Sequence, residues 1–401
     1  MRSAVLLIAL SLLMTAPALA QGEVIAERVA AEVSDSVVSI NSNAVAYGEV
    51  LGFGGYEFGR QIRLTTSYIT GFVYTKNGYI ITDSQDIENA TLLTVRLNDG
   101  KELDAQVVGV DTEYGVGVVK VDSKELLKPV KIIKSHYDPL TNTYPYDQGD
   151  PVLAIGNSGG FGGTVTSGVI SAIRNFRNRN GILLPSVIQT DAVVNGGNEG
   201  CPLFDNQGEV IAMHDRRGGG GGMQNTTFFT PIWLITRVAD ELIGCFEQNK
   251  SLTDCQVWHP WLGIKPFAGS LSPLDGQLRE VGDDLKMYMD IPDQYWDTGV
   301  LLDMVWQESP AREYGLLDHD MLLDVEVRNK DERDIVPYRM LKQIQELELM
   351  VTTASRGDVF VFGVLRNYNY FKVEVVVGQH PGSFATQAEP GAIQGFITEY
   401  F

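Results

Sequence analysis

The chain has 401 residues, 51 of them acidic and 31 basic, for a formal net charge of −20. At about 150 residues per domain, that length suits two or three globular domains, and the 44% hydrophobic fraction is ample for real cores. The acidic surplus repels phosphate and so excludes a nucleic-acid partner, while a 20% charged fraction is too low for a disordered polyanion.

Arg2, an apolar run over 5–14 and Ala18-Leu19-Ala20 predict a signal peptide over 1–20. The run is too short to span a bilayer, and no Cys follows the cleavage site. A soluble mature protein in a periplasmic or secreted setting is expected. Helical spacing of apolar residues over 24–33 predicts a helical segment within 21–35. Residues 36–243 then read as short strands between Gly, Asn and Asp, including 71–74, 79–82, 94–97 and 116–121. Two stretches read as long loops: 47–67, rich in Gly and aromatics, and 216–225, with five consecutive Gly. A helix follows over 232–243, then a linker over 244–257. A second domain over 258–380 mixes strands (299–305, 359–365, 371–377) with helices (309–314, 338–348), and a Gly-, Ala- and Pro-bearing tail runs over 381–401.

Three Cys is an odd number for an oxidising compartment. A Cys245–Cys255 disulfide would close a short loop and contribute about 3 kcal/mol. Cys201 is left over and reads as a small buried hydrophobe, with a reactive thiol as the sharper alternative.

Several strings, taken together and in order, resemble one family. They are Gly78-Tyr79-Ile80-Ile81-Thr82, Val95-Arg96-Leu97-Asn98-Asp99-Gly100, Gly149-Asp150-Pro151-Val152-Leu153-Ala154-Ile155-Gly156-Asn157, Val165-Thr166-Ser167-Gly168-Val169-Ile170-Ser171-Ala172 and Gln189-Thr190-Asp191-Ala192. They resemble the HtrA-family serine proteases. The resemblance implies a mainly β fold, a chymotrypsin-like double β-barrel followed by an α+β PDZ domain.

Such a protease needs a Ser nucleophile, a His base and an Asp that orients the His. At the three matching positions this chain carries Gln85, in Thr82-Asp83-Ser84-Gln85, then Gly115, in Tyr114-Gly115-Val116, and Glu199, in Asn195-Gly196-Gly197-Asn198-Glu199-Gly200-Cys201-Pro202-Leu203. A Gln amide does not accept and return a proton near neutral pH. In a comparable triad, loss of the Ser or the His alone costs about 10⁶ in turnover. The resemblance maps the oxyanion-hole-like donors to the backbone N–H groups of Gly197 and Glu199, and the Glu199 carboxylate is expected either to fold back on them or to turn to solvent.

Other groups are candidates for chemistry. Ser158, in Gly156-Asn157-Ser158-Gly159-Gly160, copies the nucleophile string but has no Pro-Leu after it, and Cys201 has no base placed nearby by motif. His136, His214 and His259 sit at no family base position and read as structural or surface residues. Asp83, Asp86 and Glu199 are oxygen ligands around one cleft, but their spacing is no metal motif, so no metal or other cofactor is expected.

In the second domain, Trp261-Leu262-Gly263-Ile264 resembles the carboxylate-binding loop of a bacterial PDZ domain, and Ser309-Pro310-Ala311-Arg312-Glu313-Tyr314-Gly315-Leu316 its following element. His319-Asp320 stands where a Gly-Asp turn is usual, and a helix near 338–344 would form the groove's other wall. Such a groove takes polypeptide segments or protein C-termini, and the terminal Thr398-Glu399-Tyr400-Phe401 has the apolar end it accepts.

The expected function is that of an HtrA-like pseudoprotease without the triad, not an enzyme. It would bind peptides as a chaperone, scaffold or protease regulator in protein quality control, with its own tail or an active protease relative among its partners, and would form a homo-oligomer, a trimer by resemblance. The alternative is an endopeptidase using Cys201 or Ser158.

Overall fold

The computed structural model describes residues 26–51, 57–134, 145–178, 182–215, 225–248, 257–266, 299–329, 334–342, 344–367 and 369–381. Contacts divide the chain into two compact units, one built on 1–136, 145–174 and 186–255, the other on 137–144, 175–185 and 256–401.

The first unit opens with a helix over 26–33 (α1). Strands β1 (Val37–Leu51) and β2 (Glu57–Val73) then pair antiparallel from Val37↔Phe72 to Leu51↔Glu57. Residues 47–51 and 57–67 of the expected loop therefore lie in two paired strands. Hydroxyl and β-branched residues suit such a ladder, and Thr66 Oγ1 donates across it to Asn43 Oδ1 at 2.7 Å; glycine content alone was a poor sign of a loop. With β3 (Tyr79–Asp83), β4 (Ala90–Arg96), β5 (Glu102–Asp111) and β6 (Val116–Val121), the order β1-β2-β3-β6-β5-β4 closes into a barrel. Inside it pack Ile40, Ile69, Ile80, Leu93, Val95 and Val119, each contributing about 1.5–3 kcal/mol by burial.

A second sheet runs β11 (Pro202–Phe204), β8 (Pro151–Gly156), β9 (Thr164–Arg177), β10 (Leu183–Thr190), β13 (Thr227–Pro231), β12 (Glu209–Met213) and β7 (Lys131–Ile132). Strand β11 also pairs with β12, at Leu203↔Ala212, so six of these strands return on themselves. The double barrel expected from the motifs is present.

Helix α2 (Ile232–Glu247) buries Ile232, Ile235, Val238, Ala239 and Leu242, the three-to-four spacing of one helix face. It runs four residues into the linker expected over 244–257. Cys245 is disulfide-bonded, as a Cys245–Cys255 bridge requires; Cys255 lies outside the described residues.

In the second unit β15 (Ile264–Pro266), β16 (Val300–Val305), β17 (Met321–Arg328), β19 (Val359–Arg366) and β20 (Asn369–Val376) form a sheet in that order, and β18 (Asp334–Met340) pairs with β17. Among the described residues two helices accompany it, α3 (Pro310–Glu313) and α4 (Ile344–Thr353). The core holds Leu262, Ile264, Leu302, Leu322, Phe360 and Phe362. The helix expected over 338–348 is corrected: residues 338–340 belong to β18, where Val325↔Arg339 pairing outweighs local helix propensity, and the helix starts at Ile344. His319 takes the left-handed conformation, φ 68°, that a Gly would fill without strain.

Short strands β14 (Pro260–Trp261) and β21 (Gly378–Gln379) join the start and end of this unit. Beside them His380 N donates to His259 O at 2.8 Å, and its ring meets Trp261 edge-on at 5.6 Å. Burial, and secondarily the nearby His259, pull the His380 imidazole down to about 4. The unfolded chain, with His near 6.5, binds the extra proton first, so stability is fully present above about pH 6.5 and is lost as pH falls toward 4. Urea midpoints should drop between pH 7 and 4.5 by the equivalent of about 2–3 kcal/mol. In His380→Phe that drop should shrink; an unchanged drop would assign it to other groups.

Candidate functional site

Residues 195–203 form the turn that enters β11. Asn198 N donates to Asn195 O at 3.0 Å, Cys201 N to Asn198 O at 2.9 Å and Gly200 N to His214 O at 2.8 Å. Thr70 on β2 ties the turn down from the first barrel: its N–H donates to Glu199 O at 2.9 Å and its Oγ1 to Gly197 O at 2.7 Å. Thr82 Oγ1 on β3 in turn donates to Thr70 O at 2.6 Å. The Glu199 side chain, 8% exposed, folds back so that Oε2 accepts the Gly197 N–H at 2.6 Å. Of its two dispositions, the carboxylate thus takes the one that sits on a backbone donor, a charge-assisted bond of about 1.5–3 kcal/mol.

Across the turn, β3 ends at the fully buried Asp83, whose Oδ1 accepts the Gln85 N–H at 2.8 Å. Such an Asx turn fixes the backbone at position 85, and the Gln85 residue is exposed. Ser84 N donates to Gly115 O at 3.2 Å, so the turns carrying positions 85 and 115 are joined. Tyr114 N donates to Asp111 Oδ1 at 2.7 Å, closing the turn between β5 and β6. Facing Gly115 is Asp215, just past β12. A Cβ built on Gly115 would lie 3.2 Å from Asp215 Cβ, 3.3 Å from its Cγ and 3.4 Å from its Oδ1. Asp215 is 1% exposed, and its Oδ2 accepts from Thr230 Oγ1 on β13 at 2.5 Å. Sequence reasoning missed Asp215; the one available sign was an acidic residue two positions after the strand that ends at Met213.

The remaining candidates separate. Cys201 is free and fully buried, and burial, reinforced by the Glu199 charge, pushes its thiol far above the ordinary range. It is therefore held as a thiol, not a thiolate nucleophile. Ser158 begins a one-turn 3₁₀ segment, Ser158–Gly160, whose Gly159 N donates to Gly196 O at 2.8 Å. His214 Nδ1 lies 3.2 Å from Phe228 O, and its ring packs on Phe229. His259 lies at the β14–β21 edge with His380. His136 falls outside the described residues. Among the described residues no group of three His, Cys, Asp or Glu is placed to hold a metal ion.

In the second unit, the carbonyl of Leu262 accepts from Ala311 N at 2.9 Å and that of Gly263 from Trp306 N at 3.0 Å. In a planar trans peptide the N–H points opposite the C=O, so the amides of Gly263 and Ile264 are turned away from those partners. Gly263 has φ +74°, and a Cβ on it would lie 2.1 Å from Ser309 Cβ, so only Gly fits this close approach. Trp261 is buried against His380. The tail segment 398–401 lies outside the described residues.

A model of the trypsin-like peptidase domain matches residues 69–213. A probable periplasmic serine endoprotease, DegP-like, from Halomonas elongata is 32% identical over 315 residues, covering 78% of this chain and 57% of that protein. A putative serine protease, HhoB, of Synechocystis is 35% identical over 260 residues, covering 64% and 56%. The chain thus spans a little over half the length of these relatives. Among solved structures, a variant of the HtrA-type protease AlgW with a decapeptide superposes with TM-score 0.67 at 25% identity, over 91% of this chain and 99% of that one. AlgW with a tripeptide gives 0.61 at 25% identity, over 89% and 97%. The relatives' periplasmic naming agrees with the expected periplasmic or secreted setting, and no helix among the described residues is long and apolar enough to cross a membrane. The expectation that the chain is not an enzyme is corrected: the relatives it matches are named as serine endoproteases, and nothing observed demonstrates that this chain is inactive. With its double barrel, its added β unit and these matches, the chain belongs to the HtrA family of trypsin-like serine proteases.

Proposed function

We propose that this chain works on extended polypeptide in the periplasm, as an HtrA-type protein whose residues Trp261, Leu262, Gly263 and Ile264 capture a polypeptide's C-terminal end. The observation that carries the reading is the pair of amides on Gly263 and Ile264, turned away from Ala311 and Trp306 beside β15, an end strand of the sheet order. Two such amides suit a terminal carboxylate, and a peptide laid beside β15 adds a strand by β-augmentation. Holding, scaffolding or protease-regulating roles, and trimeric self-association, follow the same reading. Fluorescence anisotropy with a labelled decapeptide ending in a free Phe is expected to give saturable binding. Affinity should fall at least tenfold on C-terminal amidation, and likewise in Gly263→Ala. Equal affinity for acid and amide would overturn carboxylate capture.

Hydrolysis is a second reading, favoured by the relatives' names. We place Gln85, Gly115 and Glu199 where the family keeps base, orienting acid and nucleophile, with Gly197 and Glu199 as the oxyanion-hole-like pair. Because an amide at position 85 is no proton acceptor, cleavage here would call on a carboxylate to activate water, and Glu199 lies on the turn itself. Casein incubated between pH 4 and 8 tests it. Cleavage lost in Glu199→Gln supports this route; cleavage that survives removes Glu199 from it, and none at any pH leaves capture alone.

A further inference from the structure

We infer that a cavity in the first unit binds a small aliphatic carboxylate through Arg96. The cavity, about 140 Å³, lies where the start of β1 and the end of β4 meet the loop between β8 and β9. None of residues 195–203 lines it, and it lies outside the second unit.

The strand pattern builds the site. Val38, Ile40 and Val95 point into the barrel, so Ser39 and Arg96, directly opposite each other in the β1–β4 register, point out of it. Among the described residues that line the cavity, Arg96 alone carries a charge. Its Nη2 lies 2.8 Å from the point where a Cβ on Gly162 would stand, and Ser39 Oγ lies 3.2 Å from the same point. Asn157 Oδ1, 3.7 Å from that point, is already engaged, accepting the Gly162 N–H at 2.6 Å. The missing side chain at 162 therefore makes room for the guanidinium against the loop and brings it within reach of one ligand together with the Ser39 hydroxyl.

No acid of the chain takes up this guanidinium. Glu102 stands opposite Arg96 in the β4–β5 ladder, and Asp35 accepts from Asn98 Nδ2 at 2.9 Å, yet among the described residues neither forms an ion pair with Arg96. Arg28, Lys120 and Lys131 of the same unit all have acid partners. With 51 acidic residues against 31 basic ones, an arginine that turns into a cavity instead of onto a neighbouring acid is the exception. A guanidinium fork matches a carboxylate in two parallel bonds. The net charge of −20 repels a dianion more than a monoanion. Val37, Leu97 and Ile155 supply apolar lining, which suits a short aliphatic body on the acid.

Isothermal titration calorimetry of the full chain with sodium butyrate, at an ionic strength held constant with sodium chloride, tests the site. Saturable binding is expected, at least threefold tighter than for acetate, because two added methylenes are buried. Arg96→Gln should weaken butyrate at least tenfold, as loss of a charge-assisted bond does. Arg96→Lys, which keeps the charge without the fork, should recover only part of that. Lys101→Gln removes an exposed cation outside the lining and should change nothing. Melting curves without ligand check that each variant is folded. No saturable binding, or equal binding to wild type and Arg96→Gln, overturns the inference. Phosphate binding as tightly as butyrate overturns the aliphatic carboxylate as the ligand. If Arg96→Gln still binds butyrate and a decapeptide ending in free Phe displaces it, the butyrate sits at the Gly263 and Ile264 amides; this inference then falls while the capture reading stands.

Discussion

Gly200→Ala is expected to lower the stability of the first unit by about 3–5 kcal/mol. Two costs add. The residue sits at φ +81°, where an L side chain is strained by about 1–3 kcal/mol. A Cβ there would also lie 2.3 Å from Thr70 O, 2.6 Å from Thr82 Oγ1 and 2.8 Å from Asp83 N, all parts of packed strands with no flexible end to move aside. Overpacking of that kind costs about 1–3 kcal/mol more. A drop in melting temperature of about 10 °C follows for a domain of this size. Gly196→Ala, four residues earlier, is the control: nothing lies within 4 Å of its Cβ position, and it should shift the melt by no more than about 2 °C. Equal shifts in the two variants would mean that the clamp of β2 and β3 on the turn does not limit the unit's stability.

That clamp bears on how much was legible in the sequence. The strands at 79–83 and 116–121, and the double barrel they build, follow from short β-branched runs between turn residues and from ordered motifs. Composition misled over 47–67, because a backbone ladder from Tyr47↔Ile62 to Ser42↔Ser67 tolerates glycines that suggested a loop. It misled again at 338–340, where pairing with β17 decided the conformation. The site divides in the same way. The proposed positions 85, 115 and 199 each lie in a local string. The return of the Glu199 carboxylate to Gly197 N is a rotamer choice that no string encodes. The contact of Asp215 with Gly115 joins residues a hundred positions apart, just past β12 and in the β5–β6 turn, and only the closed barrels bring them together.

Arg366→Ala is expected to cost the second unit about 3–5 kcal/mol, the effect of stripping the partner from a buried charge. Asp320 is fully buried, and Arg366 grips it with two bonds, Nε to Oδ1 at 2.6 Å and Nη2 to Oδ2 at 2.7 Å. The same Nη2 reaches Gly315 O at 2.7 Å, and the guanidinium lies 5.1 Å over the Phe371 ring. Asp320 meanwhile holds its own turn: Oδ2 accepts from Leu317 N at 2.8 Å, and its carbonyl accepts from Leu302 N at 2.9 Å. This network keeps the turn closed although His319 stands there in a strained conformation. Removing the guanidinium leaves a carboxylate with one backbone donor in a dry site. Hydrogen exchange at Val325 and Val361, in the β17–β19 ladder, should accelerate by two to three orders of magnitude. Arg366→Lys cannot reproduce the bidentate geometry and should recover only part of the loss. Asp320→Asn/Arg366→Met, which removes both charges, should cost less than Arg366→Met alone. If the double variant is as unstable as the sum of its parts, the pair is not coupled and Arg366 stabilises the unit through Phe371 and Gly315 instead.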